Sequence, residues 1–328
     1  MENPTLDDVA AHAGVSTATV SRFFNNPDVV AKATAKRIRD AVTATGYIPN
    51  MLAGGLASSK SKLVAVLIPQ LGPSIFNDTM EAMVHEFSAA GSVVMLGLTE
   101  LDQQRTDELV MAALGRRAEA IIITGDVGED TRKMLKRSKT NVIEIWDLPD
   151  DPIDVAIGFS HYEIGKDIAR FLKARGYIRP HFIATRGVRA LRRRDAFRVE
   201  WKAQGGEHLT EDSLELPLRF GNARSAFANI RRLDALPDVV VCGSDWLAQG
   251  LIIEAQAAGL NVPGDIAVLG FGNSALAGEM RPTITSIDID GARIARESIA
   301  LLRARERGEQ IRDNRIDVGF RLIARESA

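Results

Sequence analysis

The chain has 328 residues, which corresponds to about two average domains, and its 45% hydrophobic and 26% charged residues are typical of a globular protein. Its 41 Lys and Arg against 43 Asp and Glu give a net charge of −2, which excludes polyanion binding through bulk positive charge but not through a local patch. A single cysteine excludes a disulfide framework and a zinc ribbon, and we expect no cofactor and no metal site. The chain lacks an apolar run of about 18 residues and a secretory signal, so we expect a cytoplasmic protein without a membrane partner.

The first 48 residues carry helix signals and almost no strand pattern. Thr5 is a plausible N-cap of a short helix that ends before Gly14, and Ser16 is a plausible N-cap of a second helix. A third helix is predicted over about residues 31–45. Two short helices joined by a tight turn and closed by a third are typical of a helix-turn-helix module, whose second helix can enter the major groove of DNA.

The side chains that avoid the apolar stripe of the second helix are candidates for DNA contacts. Arg22 can bind guanine bidentately, and short polar groups suit phosphate oxygens. These short polar residues are Ser16, Thr19, Ser21 and Asn25. A small helical bundle with a solvated polar face would show the same pattern, so the helix pattern alone leaves both interpretations open.

The segments AGVSTATVSRFFNNPDVV and GYIPNMLAGGLASSKS closely resemble the headpiece and hinge of the LacI/GalR family of bacterial transcription repressors. The resemblance implies a DNA-binding headpiece over residues 1–48 and a hinge helix or linker over residues 49–61. It implies that Leu56 wedges into the minor groove of operator DNA. The full set of implied DNA contacts is Thr5, Ser16, Thr17, Ala18, Thr19, Ser21, Arg22, Asn25, Asn50, Ala53 and Leu56. Ala31 stands where the family usually has a serine that caps the third helix, so we expect the start of that helix to fray.

From residue 62 onward, short apolar runs alternate with helical segments. The predicted strands are residues 63–69, 92–98, 120–124, 142–146, 155–159, 180–185, 214–218, 239–244 and 266–271. The predicted helices are residues 75–90, 103–115, 161–175, 191–204, 222–235 and 245–259. This alternation predicts an α/β fold with parallel sheets in two similar lobes.

Residues 259–271 and 282–287 carry the same family resemblance, which implies a periplasmic-binding-protein-like core with an effector between its lobes. The implied effector-binding and dimerisation core is residues 62–328, with an N-lobe of about 62–159 and 288–315 and a C-lobe of about 160–287 and 316–328. By position, the implied effector contacts are Ile75, Phe76, Thr124, Asp147, Arg193, Phe220 and Ser244. Asn273 is added because ligands bind beyond the carboxyl ends of parallel strands.

A run of arginines bears on the chemistry of the effector. Arg189, Arg192, Arg193, Arg194 and Arg198 lie in a ten-residue stretch, and arginine pairs bidentately with carboxylate or phosphate. At most two of them can face the cleft at helical spacing, and a solvated basic helix face is the open alternative. DLPDDPIDVAIGF and PNMLAGGLASS resemble the gluconate-operon repressor branch, which implies a sugar acid or sugar phosphate as effector.

Two further features qualify this interpretation. Gly272 replaces an aspartate with which many sugar-binding members bind hydroxyl groups, which argues against a neutral sugar. Trp146 adjoins the predicted cleft and either lines it or packs beneath it.

Other classes of protein remain as alternatives. A periplasmic-type solute-binding receptor has the same core but no headpiece, and a sugar-processing enzyme fits less well because no dinucleotide or P-loop motif occurs. The five histidines are scattered, with His85 and His161 kept as weak cleft candidates. We therefore expect a ligand-responsive regulator, not an enzyme, that acts as a homodimer on near-palindromic operator DNA. The sequence does not decide between repression and activation.

Overall fold

The computed structural model describes residues 4–48, 61–71, 75–215 and 221–328. The chain divides into two compact units, Met1–Lys62 and Leu63–Ala328. Among the described residues, no helix combines the length and apolar character needed to cross a bilayer.

The first unit is a three-helix module. Its elements are α1 (Leu6–Ala13), α2 (Thr17–Asn25), a 3-10 turn (Pro27–Val29) and α3 (Lys32–Thr45). Val9, Val20 and Ile38, one from each α-helix, are fully buried and form its small core. A turn between α1 and α2 passes through Gly14, whose φ of 63° is in the left-handed region that favours glycine. This is the predicted helix-turn-helix.

The caps of these helices follow from the sequence. The Asp8 amide donates to Thr5 Oγ1 at 3.3 Å, and the Thr5 amide donates to Asp8 Oδ2 at 2.7 Å, which forms a capping box. Ser16 accepts from the Thr19 amide at the start of α2. Ala31 provides no side-chain cap to α3, as expected from the missing hydroxyl.

The second unit contains two six-stranded sheets, with strands numbered in chain order. The first sheet has the order β11-β5-β4-β3-β1-β2 and the second β12-β10-β9-β8-β6-β7. The first sheet comprises β1 (Leu63–Ile68), β2 (Val93–Leu98), β3 (Ala120–Ile123), β4 (Asn141–Ile145), β5 (Val155–Gly158) and β11 (Arg315–Asp317). The second comprises β6 (Pro180–Thr185), β7 (Thr210–Leu214), β8 (Val239–Cys242), β9 (Ala267–Gly272), β10 (Thr285–Asp288) and β12 (Arg321–Ile323). All neighbouring strands pair in parallel except β10 and β12, which are antiparallel.

Helices cover these sheets. They are α4 (Asn77–Ala89), α5 (Gln103–Gly115), α6 (Glu129–Arg137), α7 (His161–Ala174), α8 (Val188–Ala203), α9 (Gly221–Ile230), α10 (Asp245–Ala257), α11 (Ala275–Glu279) and α12 (Gly291–Glu306). Central strands such as β3 and β8 are buried along their whole length, which explains why they appear as continuous apolar runs. The predicted fold class, a helix-turn-helix followed by two lobes with parallel sheets, is confirmed.

Some predicted elements are wrong or were missed. The strand predicted at residues 214–218 overlaps β7 only at Leu214, and residues 216–218 lie outside the described residues. The polar sequence TEDSL of β7 was not predicted as a strand, and an edge strand paired only with β6 can carry such a sequence. The helix predicted at residues 222–235 ends earlier, at Ile230. The helices α6, α11 and α12 were not predicted. The short strands β10 to β12 were also not predicted, because strands of three or four residues give little periodic signal.

Candidate functional site

The exposed side of α2 carries the residues predicted to contact DNA. Ala18 and Arg22 are exposed, and Arg22 forms no ion pair with any described residue. Thr17 and Ser21 are half-buried on the same short helix. A free guanidinium on an exposed helix is therefore available for bidentate hydrogen bonds to a guanine edge.

The remaining headpiece candidates have structural partners or lie elsewhere. Ser16 Oγ and Thr19 Oγ1 are 2.9 Å apart and are hydrogen-bonded to each other, while Thr5 belongs to the capping box of α1. Asn25 is the last residue of α2. The hinge candidates Asn50, Ala53 and Leu56 lie outside the described residues.

In the second unit, a cavity of about 110 Å³ opens between the two lobes at the carboxyl ends of the strands. The first lobe contributes Ile75, Phe76 and Trp146, and the second lobe contributes Arg193 and Ser244. The lining also includes His161 and Arg189, together with the polar side chains of Gln70 and Thr185. The cavity therefore combines an apolar wall on one side with cationic and polar groups on the other.

Arg193 is the most deeply buried charge of this cavity, with 6% of its surface exposed. Its Nη1 donates to His161 Nδ1 at 2.8 Å, and its guanidinium lies 4.0 Å from the centroid of the Phe271 ring. Burial, followed by the charge of Arg189, lowers the pKa of Arg193 to about 9. With the described residues Arg193 forms no ion pair, so an almost fully buried cation has no counter-charge in contact.

His161 holds that arginine in place. Its Nε2 lies 2.9 Å from the carbonyl oxygen of Trp146, and its Nδ1 faces Arg193. Because a guanidinium can only donate and a carbonyl can only accept, the imidazole must be neutral with its proton on Nε2. Burial, followed by the charge of Arg193, lowers the pKa of His161 well below its ordinary value of 6.5, which agrees with this neutral form.

Trp146 forms the centre of the aromatic wall. Its ring packs edge-on against Phe76 and Phe159 at centroid distances of 4.9 and 5.5 Å, and its Nε1 donates to Thr79 Oγ1 at 3.1 Å. Its φ is 65°, an uncommon conformation for a bulky residue, and such strain concentrates at ligand sites. The side chain both lines the cavity and packs into the core, which settles the alternative left open by the sequence.

The arginine run divides as helical spacing requires. Arg189 and Arg193, four residues apart on α8, line the cavity. Arg194 and Arg198 instead pair with Glu211 on the neighbouring strand. Arg192 Nη1 donates to Asp147 Oδ1 at 2.9 Å, and since Asp147 follows β4, this ion pair joins the two lobes.

The headpiece and the core each match a known family. Residues 5–50 match the family described as bacterial regulatory proteins, lacI family, and residues 169–328 match the periplasmic binding protein-like domain. The chain is 32% identical to the HTH-type transcriptional regulator GntR of Pseudomonas aeruginosa over 330 residues, covering 99% of this chain and 95% of the relative. The regulator of the same name from Escherichia coli K12 is 29% identical, covering 98% and 97%. A crystal structure of a LacI-family regulator from Silicibacter pomeroyi superimposes with a TM-score of 0.90 at 26% identity, covering 99% of both chains.

The chain belongs to the LacI family of bacterial regulatory proteins. It is a DNA-binding transcription regulator with a ligand-binding core, and the resemblance found in the sequence is confirmed.

Not all residues expected to contact the effector meet at the cavity of the regulator. Thr124 and Asp147 line an adjoining cavity of about 410 Å³, which shares Leu101, Gly187 and Arg189 with the first. The Thr124 hydroxyl donates to the Leu67 carbonyl oxygen at 3.2 Å. Phe220 lies outside the described residues.

The side-chain amide of Asn273 is hydrogen-bonded within its own lobe, and the residue is not part of the cavity lining. Its Nδ2 donates to Asp288 Oδ1 at 2.9 Å, and its Oδ1 accepts from Arg325 at 2.6 Å. The residue has a φ of 48°, a left-handed turn that sends the side chain back into its own lobe.

Two residues that position the site were underestimated from the sequence. His161 was kept only as a weak candidate, yet it is the hydrogen-bond partner of Arg193. Gly165 on α7 lies against the main chain of α8, where an added Cβ would overlap the Arg193 carbonyl oxygen and come within 2.9 Å of Ala196 Cβ. A glycine inside a helical segment is the signal that could have indicated this close contact.

Proposed function

We propose that this regulator binds a small anionic effector, a sugar acid or its phosphate, in the cavity between the lobes. The observation that supports this is the buried Arg193 guanidinium, which faces the cavity beside Arg189 without an ion-pair partner among the described residues. Leaving a buried charge unpaired is costly, and a carboxylate or phosphate in the cavity would remove that cost. A bound anion would also restore the lowered pKa of Arg193.

The rest of the lining suits the rest of such a molecule. Ile75 and Phe76 offer apolar contacts to a carbon chain, and the Ser244 hydroxyl accepts from the Leu247 amide while its proton remains available to an effector oxygen. Thr124 would lie near the far end of a longer effector, in the adjoining cavity that Asp147 also borders. Phe220 remains a proposed effector contact.

On DNA, we assign base contacts to Arg22, Thr17 and Ala18, and backbone contacts to the short polar residues of the headpiece. Two copies acting as a homodimer would place two α2 helices on the half-sites of a near-palindromic operator in the cytoplasm, as a repressor. Exposed apolar side chains on α4 and β2 support self-association: Val84 is 46% exposed and Val93 is 65% exposed.

We assign no catalytic role to the protein. Cys242 lies buried in β8, and burial raises the pKa of its thiol well above the ordinary value, which leaves it protonated and a poor nucleophile. No group of three or more His, Cys, Asp or Glu side chains that could hold a metal occurs in the described part of the chain.

The effector class is tested by thermal unfolding of the purified protein with sugar acids, sugar phosphates, neutral sugars and purines. A ligand at 100 times its Kd stabilises the folded protein by about 2.7 kcal/mol, and we expect this shift with a sugar acid or sugar phosphate. Arg193→Ala should abolish the shift while operator binding persists. Arg198→Ala is the matched control, since Arg198 lies on the same helix but pairs with Glu211 outside the cavity. A shift with neutral sugars alone would contradict the proposal.

A further inference from the structure

One face of α8 carries three arginines, and the Asp147 carboxylate from the other lobe reaches it. Arg189, Arg192 and Arg193 are spaced i, i+3 and i+4, which places them side by side on one helix face. Arg192 Nη1 donates to both oxygens of Asp147, at 2.9 and 3.1 Å. We call these three arginines the arginine face of α8.

The charge of Asp147 acts on the whole arginine face. Burial lowers the pKa values of Arg189 and Arg193, and the Asp147 carboxylate offsets part of that lowering for both. The neighbouring carboxylate of Asp126 acts in this way on Arg189 alone. Asp147 therefore provides the negative charge that the members of the arginine face have in common.

The Asp147 carboxylate is also fixed in position. Its Oδ1 accepts from the Leu148 amide at 2.9 Å, and its main chain packs so closely on Gly158 that no side chain would fit there. With 20% of its side chain exposed, it borders the cavity that adjoins the proposed effector site through Arg189. A fixed, partly buried charge repels a like charge more strongly than a mobile, solvated one.

We propose that Asp147 is an internal anion that competes with an anionic effector for the arginine face of α8. The inference rests on the proposed function, because it needs an effector that carries negative charge. In the effector-free protein Asp147 holds Arg192 across the lobes and neutralises part of the arginine face. An entering carboxylate or phosphate then meets both the attraction of Arg189 and Arg193 and the repulsion of Asp147. Asp147 thereby sets the effector concentration at which the regulator responds.

Removing each half of the Asp147–Arg192 ion pair should have opposite effects on effector affinity. We would titrate D-gluconate and 6-phospho-D-gluconate into the full-length protein by isothermal titration calorimetry. Asp147→Asn retains the acceptor for the Leu148 amide but removes the charge, and it should tighten binding by about 3- to 10-fold at an effective dielectric constant of about 20. Arg192→Gln removes a cation and frees Asp147 to act on the other arginines, so it should weaken binding by a similar factor.

The matched control is Asp150→Asn. Asp150 lies three residues away, is exposed, and pairs with Arg315 at 3.5 Å, so the variant removes the same charge without touching either cavity. Its affinity should equal that of the unsubstituted protein. Thermal unfolding of each variant establishes that it is folded. A loss of structure would weaken effector binding in both Asp147→Asn and Arg192→Gln, and not in only one of them.

The outcomes separate the two proposals. Weaker binding by Asp147→Asn would mean that its oxygens accept hydrogen bonds from effector hydroxyls, and it would overturn the competition. Equal losses of effector affinity in Asp147→Asn and Arg192→Gln would mean that the ion pair only holds the lobes together. That result would also overturn the proposed competition. If the unsubstituted protein binds neither acid, the proposed effector class is wrong and this inference falls with it.

Discussion

The headpiece and the effector cleft carry their functional residues in contrasting ways. In the headpiece the candidate base contacts lie on one exposed nine-residue helix, within reach of a local motif. In the cleft the candidate contacts come from segments as distant as Ile75 and Ser244, and the central cation is almost fully buried. A surface helix can lose one contact and keep the others, whereas an assembled cavity depends on packing at positions that never touch the ligand.

The largest effect should come from such a distant packing position. Gly165→Ala would press a methyl group against the main chain of α8 at Arg193, so the two helices must separate. Overpacking of this kind costs about 1–3 kcal/mol of unfolding free energy, and it should also abolish the effector-induced thermal shift. Gly115→Ala is the control, because Gly115 has no neighbour within 4 Å of the added carbon. An unchanged effector shift in Gly165→Ala would show that the position of Arg193 tolerates movement.

A substitution on the exposed helix of the headpiece should change operator binding without changing effector binding. Arg22→Ala removes an exposed guanidinium without disturbing packing, so it should cost about 1–3 kcal/mol of operator affinity and leave effector binding unchanged. Arg22→Lys keeps the charge but loses bidentate geometry, so it should retain affinity for random DNA and lose preference for the operator. Fluorescence anisotropy with operator and scrambled duplexes measures both quantities, and unchanged operator preference would remove Arg22 from base recognition.

The two units should also respond to acid in separate pH ranges. Burial lowers the pKa values of His161 and His181 below 6.5, so the unfolded chain binds more protons than the folded core beneath that pH. The stability of the core therefore falls as the pH decreases from about 6.5 toward the folded-state pKa values. In the headpiece, hydrogen bonds from the Thr5 amide and hydroxyl lower the pKa of Asp8 below 3.8, so the capping box is lost only as pH falls through that lower value.

Thermal unfolding between pH 8 and 5 measures the response of the core as a gentle decline of its transition temperature, the smallest of the three effects. His181→Gln should reduce the decline, because it removes a buried proton-binding group, whereas the exposed His85→Gln should not. Equal declines for the unsubstituted protein and His181→Gln would assign the pH dependence to other groups.

The sequence predicts local features well and features assembled from distant segments poorly. The three helices of the headpiece and the buried strands of both lobes were predictable because their signals are local. The family resemblance indicated Arg193, which lines the cavity, but its partner His161 lies 32 residues earlier and meets it only after α7 and α8 pack together. The hydrogen bonds of Asn273 to Asp288 and Arg325 were not predictable, because they depend on residues 15 and 52 positions away and on a left-handed φ that sequence patterns do not reveal.

The left-handed glycine at the end of β9 constrains how this regulator could change its ligand through mutation. Gly272 has a φ of 114°, and a Cβ built there would lie 3.0 Å from Ile75 Cγ2 across the lobe boundary. An aspartate at this position, of the kind suited to neutral sugars, would meet both backbone strain and a steric clash. A single substitution at residue 272 would therefore disturb the lobe boundary before it could add a hydroxyl-binding carboxylate. A smaller residue at position 75 would relieve the contact with Ile75, but the positive φ at residue 272 would still favour glycine.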